Sequence, residues 1–309
     1  MKKFKIAISA PYMHQEKEKV EGYLQKYQWD VHWIPVSERL EEKDLIKFID
    51  QFDGLICGDD RLTAKVYEHA KKLKVVVKWG TGIDSINKEE AEKRNIKICR
   101  TPDAFTIPVA ESTIALMLNF ARNIDVNNNI MKSGQWLKPQ GHTLSESTIG
   151  LIGFGNIGQA VAKRLNPFSC KILAYDIVDK KKEANKLRVE FTSLDEILKK
   201  SNYISLHADL NASSLHLINK KTISKMLMFP YLINTARGPL IQENDLIWAL
   251  QNKIIKGAGL DVFENEPLSS DSALRKMTEV VLSSHNTNSS SHYWDFVHQN
   301  SLAMMDANL

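Results

Sequence analysis

One segment constrains the fold of this chain more than any other. Thr148-Ile149-Gly150-Leu151-Ile152-Gly153-Phe154-Gly155-Asn156-Ile157-Gly158 carries a short apolar strand straight into Gly-x-Gly-x-x-Gly, and the run Gln159 to Leu165 behind it has helical character. In a strand–turn–helix unit of this kind Gly153 permits the tight turn, Gly155 lets the backbone approach a pyrophosphate with no Cβ in the way, and Gly158 lets the helix pack against the strand. The helix N-terminus then presents its free N–H groups to the phosphates. Three glycines alone discriminate poorly. A second apolar run, Lys171 to Tyr175, leads into Asp176 about twenty residues on, where a carboxylate can accept both ribose hydroxyls. A glycine-rich turn that binds nothing would leave Asp176 unexplained, so the segment predicts a nicotinamide dinucleotide, NAD, as cofactor.

The rest of the chain repeats this alternation. Before Pro102, short β-rich runs (Ile6–Ala10, Val31–Pro35, Gly54–Cys57, Val75–Trp79, Ile96–Cys99) alternate with segments of helical period (Glu16–Tyr27, Glu41–Phe52, Leu62–Leu73, Lys88–Arg94). Such alternation means parallel strands joined by helical crossovers. Pro108 to Met131 reads as one long helix, with Pro near its first turn and Gly134 past its end. A second series of strands begins at Ile149 and continues through Ile172–Asp176, Val189–Phe191, Tyr203–His207, Tyr231–Thr235, Gly257–Val262 and Val280–Ser284. At 309 residues the chain exceeds the size at which one core stops growing, so two domains are expected.

Composition excludes several classes of function. The formal charge of +4, from 41 Lys and Arg against 37 Asp and Glu, is small for this length, and the basic residues are scattered, so nucleic-acid binding gains no support. Cys57, Cys99 and Cys170 stand far apart in no ligand spacing, which points to reduced thiols in a cytoplasmic setting and to no metal site. The N-terminus has no apolar signal region, and the longest apolar stretch, Thr113 to Ala121, is too short to span a membrane. The charged runs Glu16–Lys19 and Lys180–Lys182 read as solvated helix faces.

Ligands of open α/β sheets bind beyond the carboxyl ends of the strands, so those ends are where chemistry is to be sought. Three of them carry reactive side chains: Arg237 after Leu232–Ala236, Glu266 shortly after Leu260–Phe263, and His285 after Val281–Ser284. An Arg can hold a carboxylate by two parallel bonds and polarise a carbonyl, while a His can exchange a proton near neutral pH. A carboxylate on the far ring nitrogen would fix the tautomer and favour the protonated donor that ketone reduction needs. Taken singly, Arg237 reads as an ion-pair partner, Glu266 as a loop acid and His285 as a satisfied core histidine. Their joint occurrence favours dehydrogenation of a hydroxy acid.

Gly153–Gly158 with Asp176, Asn234-Thr235-Ala236-Arg237-Gly238, Gly259-Leu260-Asp261-Val262-Phe263-Glu264-Asn265-Glu266-Pro267 and Ser284-His285-Asn286 together resemble the D-isomer-specific 2-hydroxyacid dehydrogenases. Trp79-Gly80-Thr81-Gly82-Ile83-Asp84, Thr101-Pro102 and Val109-Ala110-Glu111 are similar to further family segments in the same order. The resemblance implies that Arg237 binds and polarises the 2-oxo acid, that Glu266 orients His285, and that His285 is the general acid/base. It also implies that Asn156 and Ile157 meet the pyrophosphate, Asp176 the adenosine ribose, Thr235, Ala236 and Arg237 the nicotinamide, and Asp261 its carboxamide. His207 becomes a wall of the cofactor pocket, and Gly80, Thr81 and Gly82 clasp the substrate carboxylate through backbone N–H groups. The expected fold is α/β, a Rossmann dinucleotide-binding domain at 98–286 inserted into a second, flavodoxin-like α/β substrate domain at 1–97 and 287–309. Two linkers between domains imply a hinge, and a homodimer in a cytoplasmic setting is expected, with no nucleic acid or membrane as partner.

Departures from the family pattern stand at Asp209, where Pro is common, at Asp103, where Gly is common, and at Phe105, where Asn is frequent. One helix follows His285, so the serine-sensing domains of some phosphoglycerate dehydrogenases are expected to be absent. Three rivals remain at this stage: a non-enzymatic NAD(H)-sensing protein on the same fold, a formate dehydrogenase, which would pair its His with Gln instead of Glu266, and a phosphite oxidase with a similar triad. The substrate is expected to be a D-2-hydroxy acid or 2-oxo acid, 3-phosphoglycerate included if Arg61 and Lys78 face it as cations, and otherwise glyoxylate or hydroxypyruvate. In that second case Arg61 is a surface residue offset by Asp59 and Asp60.

Overall fold

The computed structural model describes residues 3–309. The chain divides into two compact units, one made of the residues up to Phe105 together with Ser289–Leu309, the other of Thr106–Asn288. The second is thus inserted into the first along the sequence. The first boundary falls later than the 97/98 expected from sequence because Lys97–Arg100 is a strand of the first unit's sheet, paired with Val75–Lys78. The second falls at 288/289.

The first unit is built on β1 (Phe4–Ile8), β2 (Trp29–Trp33), β3 (Gly54–Cys57), β4 (Val75–Lys78) and β5 (Lys97–Arg100). Their order is β2-β1-β3-β4-β5 and every pairing is parallel. This is the flavodoxin-like order. All residues of β3 and β4 are buried, which is why their sequences run apolar without alternation: helices cover both faces. The C-terminal helix Ser291–Asn308 belongs to this unit, and Met305 fills the place a side chain at Gly54 would take.

The second unit carries β6 (Thr148–Ile152), β7 (Lys171–Tyr175), β8 (Glu190–Phe191), β9 (Tyr203–Leu206), β10 (Tyr231–Asn234), β11 (Gly257–Leu260) and β12 (Val280–Leu282). They form one parallel sheet in the order β12-β11-β10-β9-β6-β7-β8, whose direction reverses between β6 and β9. Successive residues of a strand point to opposite faces. Leu151 and Ile233 accordingly enter one apolar core, while Ile152 and Leu232 enter the other. The register aligns the strands' last residues, Ile152 with Leu206, Leu206 with Asn234, Asn234 with Leu260, and Leu260 with Leu282. Gly153, His207, Thr235, Asp261 and Ser283 therefore leave the sheet side by side.

The helix expected over Pro108–Met131 is in fact two helices, Thr106–Arg122 and Ile124–Lys132. Asn123 between them takes a left-handed conformation (φ 51°, ψ 41°), which Asn tolerates better than most residues. The side chain of Asn119 accepts the Asp125 N–H at 3.0 Å, replacing a bond that would have continued the helix. Among the described residues no helix is long and apolar enough to cross a membrane.

Candidate active site

The glycine turn leaves β6 with Gly153 at φ +95°, where a Cβ would meet the backbone of His207 and Ala208 at 2.5 Å. At Gly158, the third residue of the helix Asn156–Leu165, a Cβ would collide with the Gly153 carbonyl at 2.3 Å. Both glycines are required by the fold itself. Gly155 differs, since a Cβ there would enter open space in front of the helix N-terminus. The fold leaves that space clear, as a bound pyrophosphate requires. Asp176 follows β7, and its Oδ2 accepts the Phe154 N–H at 2.7 Å while Oδ1 accepts that of Val178 at 3.0 Å. The acid is thereby fixed beside the glycine turn. Lys180, the nearest cation along the chain, is paired with Glu183 at 3.7 Å. His207 is half-buried; its Nε2 meets the Ser205 hydroxyl at 2.9 Å, and burial pushes its pKa down to about 4. It is therefore neutral at neutral pH.

At the end of β10, buried Asn234 shapes the turn that bears Arg237. Its side chain donates to the Arg237 carbonyl at 2.9 Å and accepts from the Ala236 N–H at 3.1 Å. Thr235 is anchored by a 2.9 Å bond between its hydroxyl and that of Thr113 on the Thr106–Arg122 helix. The Arg237 guanidinium donates to the Ala236 carbonyl at 2.8 Å.

His285 and Glu266 come together across nineteen residues of sequence, with His285 Nδ1 3.0 Å from Glu266 Oε2. Their side chains are only 19% and 15% exposed. Glu266 Oε1 accepts the Phe263 N–H at 3.0 Å, so the carboxylate is held at both oxygens. His285 itself has φ +51°, a strained conformation that persists only when its surroundings enforce it. Asp261 does the enforcing. Its carbonyl accepts the His285 N–H at 2.8 Å, and its fully buried carboxylate takes the N–H groups of Asn286 (2.8 Å) and Thr287 (3.2 Å) and the Thr287 hydroxyl (2.6 Å). The Asp261 carboxylate thus shapes the histidine turn.

In the first unit, Gly80 follows β4 with φ +118°. The Thr101 N–H donates to its carbonyl at 2.9 Å, Arg100 donates to the Thr81 carbonyl at 2.9 Å, and the Thr81 hydroxyl donates to the Thr101 carbonyl at 3.0 Å. No acceptor among the described residues meets the N–H groups of Gly80, Thr81 and Gly82. Three neighbouring donors thus remain for an anion. Trp79, just before them, stacks on Tyr12 and donates its indole N–H to His298 at 2.9 Å.

Lys78, one of the two candidate substrate-facing cations, is not a free cation. It is 6% exposed and bonded to Asp59 at 2.9 Å, because β4 delivers it to the inside of the sheet's end. Asp60 is buried as well, accepting from the Ser9 hydroxyl and from the Leu40 N–H at 2.7 Å. Neither acid offsets Arg61, which is half-buried and makes no ion pair among the described residues.

Residues 114–287 match the model of the D-isomer-specific 2-hydroxyacid dehydrogenase NAD-binding domain. A glyoxylate reductase of Thermofilum pendens is 41% identical over 262 residues, covering 82% of this chain and 76% of that protein. A hydroxypyruvate reductase of Thermotoga maritima is 38% identical over 270 residues, covering 86% and 85%. Among solved structures, the D-lactate dehydrogenase of Aquifex aeolicus complexed with NAD and lactic acid superposes with a TM-score of 0.85 at 25% identity, over 98% of this chain and 94% of that one. The chain belongs to the D-isomer-specific 2-hydroxyacid dehydrogenases. It is an NAD-dependent enzyme that moves a hydride between nicotinamide and a 2-hydroxy or 2-oxo acid.

Residues of this dehydrogenase that sequence reasoning passed over are those whose work is to hold others: Asn234 and Thr113 at the Arg237 turn, Glu264 beside Glu266, and His298 behind Trp79. Asn234 alone carried a signal, a buried polar residue closing an otherwise apolar strand.

Proposed function

We propose that this dehydrogenase reduces a small 2-oxo acid, glyoxylate or hydroxypyruvate, to the hydroxy acid, with His285 as proton donor. The observation that carries the reading is the 3.0 Å bond between Glu266 and His285 Nδ1, made from a backbone held in a strained conformation by Asp261. With Nδ1 engaged by the carboxylate, Nε2 carries the transferable proton. Arg237 grips the carboxylate and polarises the carbonyl. Bound NADH supplies the hydride to the carbonyl carbon. As that carbon is reduced, the carbonyl oxygen takes the proton from His285, and the imidazole is left neutral; oxidation runs these steps backwards. The cofactor is held by the glycine turn with Asn156 and Ile157, by Asp176 at the ribose, and by the row His207, Thr235 and Ala236.

A small acid is favoured over a phosphorylated one because Lys78 is already neutralised by Asp59, leaving Arg61 alone to meet a distal phosphate. The glyoxylate reductase and the hydroxypyruvate reductase named above are also named for small 2-oxo acids. A homodimer is supported by the helix Ile124–Lys132, which buries no residue, and by exposed Ile124, Val126, Met131, Trp136 and Leu137 along and after it. Three free cysteines fit a cytoplasmic location. The test is steady-state kinetics with NADH on glyoxylate, hydroxypyruvate, 3-phosphohydroxypyruvate and pyruvate, for wild type and Arg61→Ala. The small acids should give the higher kcat/KM and be indifferent to the mutation. A preference for the phosphorylated acid that Arg61→Ala abolishes would overturn the substrate assignment.

A further inference from the structure

Glu264 lies two residues before Glu266 and faces the opposite way, into a polar clasp that the reaction itself does not use. Its Oε1 is 2.5 Å from His216 Nε2, and its Oε2 accepts the N–H of Glu243, the first residue of the helix Glu243–Gln251, at 3.0 Å. The bond is reciprocated, since the Glu264 N–H reaches Glu243 Oε2 at 3.4 Å. The helix has no side-chain cap of its own at Gln242, so Glu264 supplies from a distance the acceptor and negative charge that a helix start prefers. Burial and the Glu264 charge together push the Glu243 carboxyl upward. His216 is fixed in turn, with φ +51° and its N–H on the Pro239 carbonyl at 2.8 Å.

The segment so clasped has no slack on its other side. A Cβ at Gly238 would lie 1.9 Å from the Phe263 carbonyl carbon and oxygen, so the turns bearing Arg237 and Glu266 touch backbone to backbone. From Phe263 the bonds continue to the site, through its N–H to Glu266 Oε1 and through Glu266 Oε2 to His285. We propose that Glu264 is a positioning residue for hydride transfer. Its clasp on His216 and on the start of the 243–251 helix sets the turn from which Glu266 reaches His285. The inference rests on the reading of Glu266 as the partner of His285.

The experiment is a double-mutant cycle on kcat for glyoxylate reduction, with Glu264→Ala, Glu266→Gln and the double variant, and with Glu264→Gln as the conservative control. Glu264→Ala should lower kcat about 10- to 100-fold, the cost of misplacing a reacting group by about 1 Å or less. NADH affinity, read by fluorescence titration, should stay within about twofold, because none of the residues assigned to the cofactor is in the clasp. Glu264→Gln should restore most of kcat, since its amide oxygen still accepts. In the Glu266→Gln background the Glu264→Ala loss should shrink to about threefold or less, because there is no longer a carboxylate to aim. A full, additive loss in that background, or a Glu264→Gln variant as slow as Glu264→Ala, overturns the proposal while leaving the Glu266–His285 pair intact. An unimpaired Glu266→Gln overturns that pair instead.

Discussion

Gly238→Ala tests the closest approach in the site. The added Cβ would stand 1.9 Å from two backbone atoms of Phe263, and an ordinary contact begins at 3.4 Å, so one backbone must retreat by about 1.5 Å (3.4 − 1.9). Neither atom is the tip of a flexible side chain, and no rotamer change can relieve the clash. Overpacking of this kind costs about 1–3 kcal/mol of stability. Whichever side yields, either Arg237 or the Glu266 turn is displaced, and a displacement of about 1 Å costs roughly 10²-fold in rate. The dinucleotide turn at Gly153–Gly158 is on another strand and should be untouched. Single-turnover oxidation of NADH by glyoxylate should therefore slow about 10²-fold, with NADH affinity near wild type and a lowered melting temperature. An alanine variant with unchanged kcat and unchanged melting would mean that the two turns are not in backbone contact, and the argument from that contact would be wrong.

Gly155→Ala should do the reverse: its Cβ enters open space at an ordinary φ, so melting should be unchanged while NADH binding weakens about 10-fold or more by fluorescence titration. NADH should be preferred to NADPH by at least ~10²-fold in kcat/KM, because Asp176 is fixed by two backbone N–H groups and like charges forced together cost several kcal/mol; Lys180 is held by Glu183 and offers little relief. Asp60, with its pKa raised to about 6 chiefly by burial, binds its proton more tightly folded than unfolded. Its stabilising effect is present below about pH 4 and is lost as pH rises through about 6, on the order of 3 kcal/mol in total. Melting temperatures of Asp60→Asn and wild type should thus diverge in favour of the variant between about pH 4 and pH 6, as checked by calorimetry; parallel curves across that range would refute the burial argument.

Legibility of the sequence followed the range of the forces involved. Parallel strands buried on both faces announce themselves as unbroken apolar runs, so β3, β4, β6 and β10 could be located closely, and the alternation with helical segments carried the α/β class. Gly153 and Gly158 were readable because each answers a local steric demand. Failures came where one side chain decides between alternatives. Nothing in the apolar period of Thr106–Lys132 signals that Asn119 would capture an N–H and let Asn123 turn left-handed. Lys78 looked like a free cation because its partner, Asp59, is on a neighbouring strand end that only the sheet order brings near. The clasp of His216, Glu243 and Glu264 joins residues 21 and 48 positions apart, and such pairings are products of the tertiary fold.

The central claim is that His285, held by Glu266, gives the proton that accompanies hydride transfer. Its most direct test is the single-turnover rate of NADH oxidation by saturating glyoxylate in wild type and His285→Ala, measured from pH 5 to pH 9 alongside NADH affinity. The account predicts a wild-type rate that falls as pH rises and the imidazolium is lost, and an alanine variant about 10²- to 10⁴-fold slower without that pH dependence, with NADH affinity unchanged. A His285→Ala enzyme that transfers hydride at near the wild-type rate, with the same pH profile, would contradict it.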